Sequence, residues 1–179
     1  MEFFSFDTQY HILHDDKINI LQKLDSINDL GVTFDNNLLF KDHISQKINK
    51  AYSILGIIKR NFIYMDESGF ILLYKSMVRP HLEYANSVWC PYKLGDIKEI
   101  EKVQKRATKL IINFKNMSYT DRLQRLNLPT LKYRRLCGDM IEVFKITHEI
   151  YDPDVSLKLV YHPNSNTRGN NYKLLNQPF

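Results

Sequence analysis

Two adjacent aspartates, Asp15 and Asp16, follow Tyr10-His11-Ile12-Leu13-His14. Neighbouring carboxylates on a strand–turn–strand are one way to hold a pair of divalent ions for phosphoryl chemistry. Such a site also needs a third carboxylate from a separate strand. Aspartate favours turns for local reasons of its own, so the run reads as a solvated hairpin turn. His11 and His14 are three apart on a strand and face opposite sides of it, which argues against a shared metal ion. Cys90 and Cys137 are far apart and lack CxxC spacing, and no acid or second thiol accompanies Cys90 and His81. The two cysteines suit a reducing compartment, and Cys90 suits a structural thiol. There is no glycine-rich phosphate loop and no nucleophile–base pair at a telling spacing. No residue is assigned to catalysis, to a metal or to a cofactor.

The remaining chemistry is cationic. Lys98, Lys102, Lys105, Arg106 and Lys109 recur at helical spacing and fall within about a 100° arc of a helix running from about Asp96 to Ile112. Ile100, Val103, Ala107, Leu110 and Ile111 occupy the opposite side. One face therefore anchors to a core and the other meets something outside. A solvated helix face usually mixes signs to gain i,i+4 pairs, but this arc holds no acid, and Glu99 lies at its edge. A polyanion would relieve the repulsion and release counterions. A plain solvated face is the competing reading. Arg134-Arg135 is a second, isolated basic pair.

Whole-chain numbers fit this reading. The 179 residues carry a net charge of +5. Residues 1–40 hold two lysines against seven acids, whereas residues 41–112 hold thirteen Lys and Arg against seven acids. The middle of the chain is thus where a nucleic acid would lie. The first residues do not read as a secretory signal, and no apolar run would span a bilayer. The expectation is an intracellular protein, nuclear or cytoplasmic, with no membrane and no small-molecule substrate.

The elements that must position these residues change in kind near Phe40. Before it, Tyr10–Leu13, Lys17–Leu24 and Leu30–Phe34 read as three short strands of one antiparallel sheet. After it the period is helical. A helix is predicted from about Asp42 to Arg60, and a second begins at Asp66 as N-cap, carrying Phe70, Leu73, Tyr74 and Met77 inward. Pro80 predicts a kink or a fresh helix start. A short helix from Pro80 to Trp89 follows, with Trp89 as a lid on the core. Ser118 and Asp121 form a capping box for a helix from Tyr119 to Asn127. Pro129-Thr130 opens the last helix, expected to bury Tyr133, Leu136, Met140, Val143, Phe144 and Thr147. The fold class is mainly α, preceded by a small antiparallel β-hairpin element.

Several stretches, taken in order, resemble one family. They are Asp29-Leu30-Gly31-Val32-Thr33-Phe34-Asp35, His43-Ile44, the run from Leu73 through Arg79-Pro80-His81 to Ala85, and Val88-Trp89 with Pro91. Next come Ile100–Ile111, Leu126-Asn127-Leu128-Pro129-Thr130-Leu131, Tyr133–Leu136 and Gly138–Lys145. Thr167-Arg168-Gly169 and Tyr172-Lys173-Leu174 complete the set. Together they are similar to the part that follows the catalytic palm in jockey- and CR1-like non-LTR retrotransposon reverse transcriptases. The resemblance implies that Leu30, Gly31 and Val32 correspond to a primer-grip hairpin and that the helices form a thumb. It implies RNA or DNA as partner, with an RNA–DNA hybrid in the parent enzyme. The family's aromatic-x-Asp-Asp box would lie upstream of Met1. Asp15-Asp16 does not replace it, because Leu13 stands where that box has its aromatic and Leu30 follows too soon. The resemblance therefore implies a non-catalytic fragment, cut at both ends. It divides into 1–36 as a residual palm and primer-grip β element, 37–152 as a thumb-like helical domain, and 153–179 as a loosely ordered, truncated tail. Without its palm the sheet would leave Ile12, Leu13 or Val32 partly exposed, and the exposed β edge could self-associate.

Overall fold

A computed structural model describes residues 10–14, 17–152, 154–162 and 172–175. Asp15, Asp16 and the Thr167-Arg168-Gly169 stretch lie outside the described residues. The protein is mainly helical, and among the described residues the strands are confined to the first 35. The single expected sheet is instead two separate antiparallel hairpins. β1 (His11–His14) pairs with β2 (Lys17–Ile20), and β3 (Ser26–Asp29) pairs with β4 (Val32–Asp35). Leu30-Gly31 is not strand. It is the two-residue loop of the second hairpin, with φ of 46° and 78°. Positive φ at both loop residues matches the twist of the flanking strands, which is why such loops close hairpins tightly. Gly31 adopts it freely, whereas Leu30 does so at a cost.

That cost is offset by clamps from the helices. The Leu30 carbonyl accepts from the Tyr84 hydroxyl at 2.8 Å, and the Gly31 carbonyl accepts from Lys47 Nζ at 2.9 Å. The Thr33 N–H donates to His43 Nδ1 at 3.1 Å. His43 is fully buried and tilts over Trp89, with ring centroids 5.2 Å apart. Burial first, and Lys47 second, hold its pKa below the usual histidine value, so the ring packs as the neutral species. Val32, expected to be partly exposed, is instead 3% exposed beneath this hairpin. The first hairpin behaves as anticipated, with Ile12 and Leu13 largely exposed.

Asp35 organises the passage into the helices. Its carboxylate accepts from the backbone N–H groups of Asn37 (3.0 Å), Leu39 (3.1 Å) and Phe40 (2.7 Å). Leu38 and Phe40 are both held at positive φ. These bonds, with Leu39's the largest contributor, lower the Asp35 pKa. A lowered folded-state pKa gives stability that is present above the unfolded value, about 3.9, and is lost as pH falls through the folded one. Asp35→Asn should therefore lower the thermal midpoint at pH 5 and above. The gap from wild type should close as the pH is taken well below about 4. A gap of constant size across that window, in parallel melts, would mean the ionised carboxylate is not what holds the loop.

α1 (Lys41–Asn61) buries His43, Ile44, Ala51, Ile54, Leu55 and Ile58. α2 (Glu67–Leu73) starts at the Asp66 cap, which accepts from the Gly69 N–H at 3.0 Å. A π-helical turn, Tyr74–Val78, then leads into α3 (Arg79–Glu83). The extra residue of that turn rotates the chain ahead of it, so Val78 is fully buried and Met77, expected inside, is 42% exposed. The short helix expected from Pro80 to Trp89 is split. Tyr84-Ala85 breaks it, with Ala85 at φ 52°, and α4 (Asn86–Trp89) follows. Trp89 is buried and donates from its indole N–H to the Tyr84 carbonyl at 2.7 Å.

α5 (Leu94–Ala107), α6 (Tyr119–Arg125) and α7 (Leu131–Thr147) complete the fold. Ser118 and Thr130 cap α6 and α7 as expected. The orientation of α7 departs from expectation. Tyr133, Leu136, Met140, Val143 and Phe144 face outward, and Leu131, Arg135 and Thr147 are the buried residues. Polar contacts fix this rotation. Glu101 accepts from the Leu131 and Lys132 N–H groups (3.0 and 3.4 Å), Arg134 forks onto Glu83, and Asn86 donates to Asp139 at 3.4 Å. Met140→Glu or Leu136→Glu should accordingly shift unfolding free energy by no more than about 0.5 kcal/mol. Leu131→Ala, at 1% exposure, should cost about 2–5 kcal/mol in the same urea titration. Equal losses for all three would place the outward stripe in the core.

Candidate nucleic-acid interface

The basic helix divides its faces as its sequence predicts. Ile100, Val103 and Ala107 are no more than 1% exposed, and Ile111 is 2% exposed. Lys98, Lys102, Lys105 and Arg106 on α5 are all exposed. The α-helix ends at Ala107, earlier than expected. A 3-10 turn, Thr108–Leu110, continues it and carries Lys109, also exposed. The five cations therefore share one side of a rod whose other side is sealed in the core.

Three of the five have partners that pre-position them. Lys102 Nζ bonds Glu99 at 2.5 Å, and this hydrogen bond raises its pKa. Glu99, read as lying at the edge of the arc, thus reaches into it. The Arg106 guanidinium lies 5.3 Å from the centroid of the Tyr52 ring on α1, and Lys105 Nζ lies 5.2 Å from that of Tyr119. Stacking on an aromatic face orients a cation while leaving its edge donors free.

Leu30, Gly31 and Val32 lie elsewhere, on the hairpin clamped by Lys47 and Tyr84. Two neighbouring elements share α1: the hairpin docks on it through His43 and Lys47, and α5 packs along it. The Arg134-Arg135 pair is not a surface patch. Arg134 is tied to Glu83, and Arg135 is 4% exposed. Cys90 is half-buried with its thiol 3.7 Å from Asp139. Burial, then Asp139, pushes its pKa up, as suits a structural thiol rather than a nucleophile.

Reading by charge missed Gln104. It sits in the middle of the basic run yet is 1% exposed. Its carbonyl accepts from the Tyr74 hydroxyl at 2.5 Å, and its amide donates to Tyr119 Oη (3.1 Å) and to the Pro129 carbonyl (2.9 Å). The Tyr119 hydroxyl in turn donates to Glu101. The only available signal was its position: 100, 103, 104, 107 and 111 follow the inward period of the helix.

Among the described residues no group of three or more His, Cys, Asp or Glu could hold a metal ion, and no helix is long and apolar enough to cross a membrane. The fold and this face define a mainly helical domain, led by β-hairpins, with one cationic helix side. The chain is 30% identical over 138 residues to the uncharacterized protein B0403.1 of Caenorhabditis elegans, covering 73% of this chain and 68% of that protein. It belongs to the same family as that nematode protein. No protein-family description matches the chain, and no solved structure matches it.

Proposed function

We propose that the chain is a non-catalytic fragment of a non-LTR retrotransposon reverse transcriptase. In this reading a thumb-like module binds template–primer nucleic acid through the outer side of α5. The observation that carries it is the division of α5 itself: five exposed cations on one side and a sealed apolar side opposite. Phosphate contacts from such a face read no base edges, so binding is sequence-independent and salt-sensitive. The order of motifs from Asp29 to Leu174 supports the family reading, and the clamped Leu30-Gly31 turn suits a primer-grip hairpin. No residue is given a role in nucleotide transfer.

The test is fluorescence anisotropy with a labelled RNA–DNA hybrid and a DNA duplex across a salt series. Submicromolar binding at low salt, falling linearly on logarithmic axes, is expected. Absence of binding below micromolar concentrations at low salt would overturn the proposal. A second reading is a non-functional or repurposed helical domain, and one observation, the outward apolar stripe of α7, favours its protein-contacting form. It would stand if the hybrid does not bind.

A further inference from the structure

α1 carries a glycine, Gly56, in the last third of its 21 residues but still inside the helix. Glycine inside a helix is less favourable than alanine by most of a kcal/mol, so its presence calls for a spatial reason. The usual reason is a close neighbour, and here there is none. A Cβ built on Gly56 meets nothing within 4 Å. What the missing side chain leaves is a notch between α1 and the end of the basic helix. It has a volume of about 100 Å³ and is lined by Tyr52, Leu55, Gly56, Lys59, Arg106 and Leu110.

The chemistry of the notch is not that of a packing defect. Leu55 is buried beneath it. Lys59 and Arg106 are exposed at it, one from each helix, and Arg106 is held by the Tyr52 ring. No acid lines it. The space is roughly three times a water molecule's share of liquid volume, about 30 Å³, enough for a phosphodiester group. A guanidinium fixed by stacking offers paired donors to such a group, and the lysine adds a mobile charge.

We infer that the Gly56 notch is a phosphate-anchoring subsite, in which Lys59 and Arg106 hold one backbone phosphate of the bound nucleic acid between α1 and α5. The inference rests on the reading that α5 tracks a phosphate backbone. It adds a residue from a second helix, Lys59, that the pattern of α5 alone does not contain. It also gives Gly56 a role that charge counting cannot detect.

The experiment fills the notch without changing charge. Gly56→Leu should raise the thermal midpoint by a few degrees, since a helix former replaces glycine at an open site. The same variant should bind a short RNA–DNA hybrid about tenfold more weakly at low salt, with a salt slope smaller by about one unit. Lys59→Gln should lose the same unit of slope. The double variant should lose about one unit rather than two, because both changes remove one contact. The inference is overturned if Gly56→Leu binds like wild type. It is also overturned if the two slope losses add, which would mark Lys59 as part of a diffuse field. Either result leaves binding by α5 intact, whereas failure of the wild type to bind the hybrid removes both.

Discussion

Lys102→Gln, Arg106→Gln and Lys109→Gln combined should flatten the dependence of log affinity on log salt by roughly three units, since each lost duplex contact removes about 0.9. Over a fourfold rise in salt, the wild type should then lose about forty times more affinity than the variant. The structure makes the three side chains accessible and leaves the apolar side of the helix untouched. Lys102 must exchange Glu99 for phosphate, so its share of the affinity is the smallest of the three although its counterion release is counted in full. The folded state should hold its thermal midpoint, because these groups are exposed and their mutual repulsion is relieved. Lys17, Lys23 and Lys158 changed to Gln form a charge-matched control with a smaller effect. Equal losses in the two triple variants would show a diffuse positive field rather than a binding face.

Gln104→Leu should cost about 3 kcal/mol in urea unfolding while leaving every surface charge in place. The glutamine is the joint of a buried relay linking the π turn at Tyr74, α5, the start of α6 at Tyr119 and the Pro129 carbonyl ahead of α7. Leucine keeps the volume and removes all three bonds. The Tyr74 hydroxyl and the Pro129 carbonyl then lose a partner in a dry setting, and each such group costs about 1–3 kcal/mol. Burial already pushes the Tyr74 pKa far up, so that hydroxyl cannot escape by ionising. Tyr74→Phe should cost less alone, and the double variant should fall short of the sum by about 1 kcal/mol or more. Strict additivity would separate the two residues, and a loss below about 1 kcal/mol for Gln104→Leu would mean water replaces the relay.

What could be read from the chain without its fold was what depends on near neighbours. Asp66, Ser118 and Thr130 cap helices by bonds to residues three ahead, and the two faces of α5 follow from its own period. What could not be read depends on distant partners. Leu30 enters positive φ because Tyr84, 54 residues away, holds its carbonyl. α7 turns its apolar stripe outward because Glu83, Glu101 and Asn86 grip its polar side, against the rule that amphipathic helices bury the greasy face. Gln104 and Gly56 escaped notice because neither carries a charge.

The π turn at Tyr74–Val78 has a consequence best put in terms of codons. Arg79 donates its N–H to the Tyr74 carbonyl five residues back, and Pro80, which has no N–H to offer, comes next. Lys75, Ser76 and Met77 are exposed, so missense changes there meet little resistance. An in-frame loss of one codon in the same stretch is another matter. It would return the turn to four-residue bonding and set the Pro80 ring against a carbonyl one turn back. At Lys75, Ser76 and Met77 the gene should accept substitution, whereas across the turn it should resist any change in length.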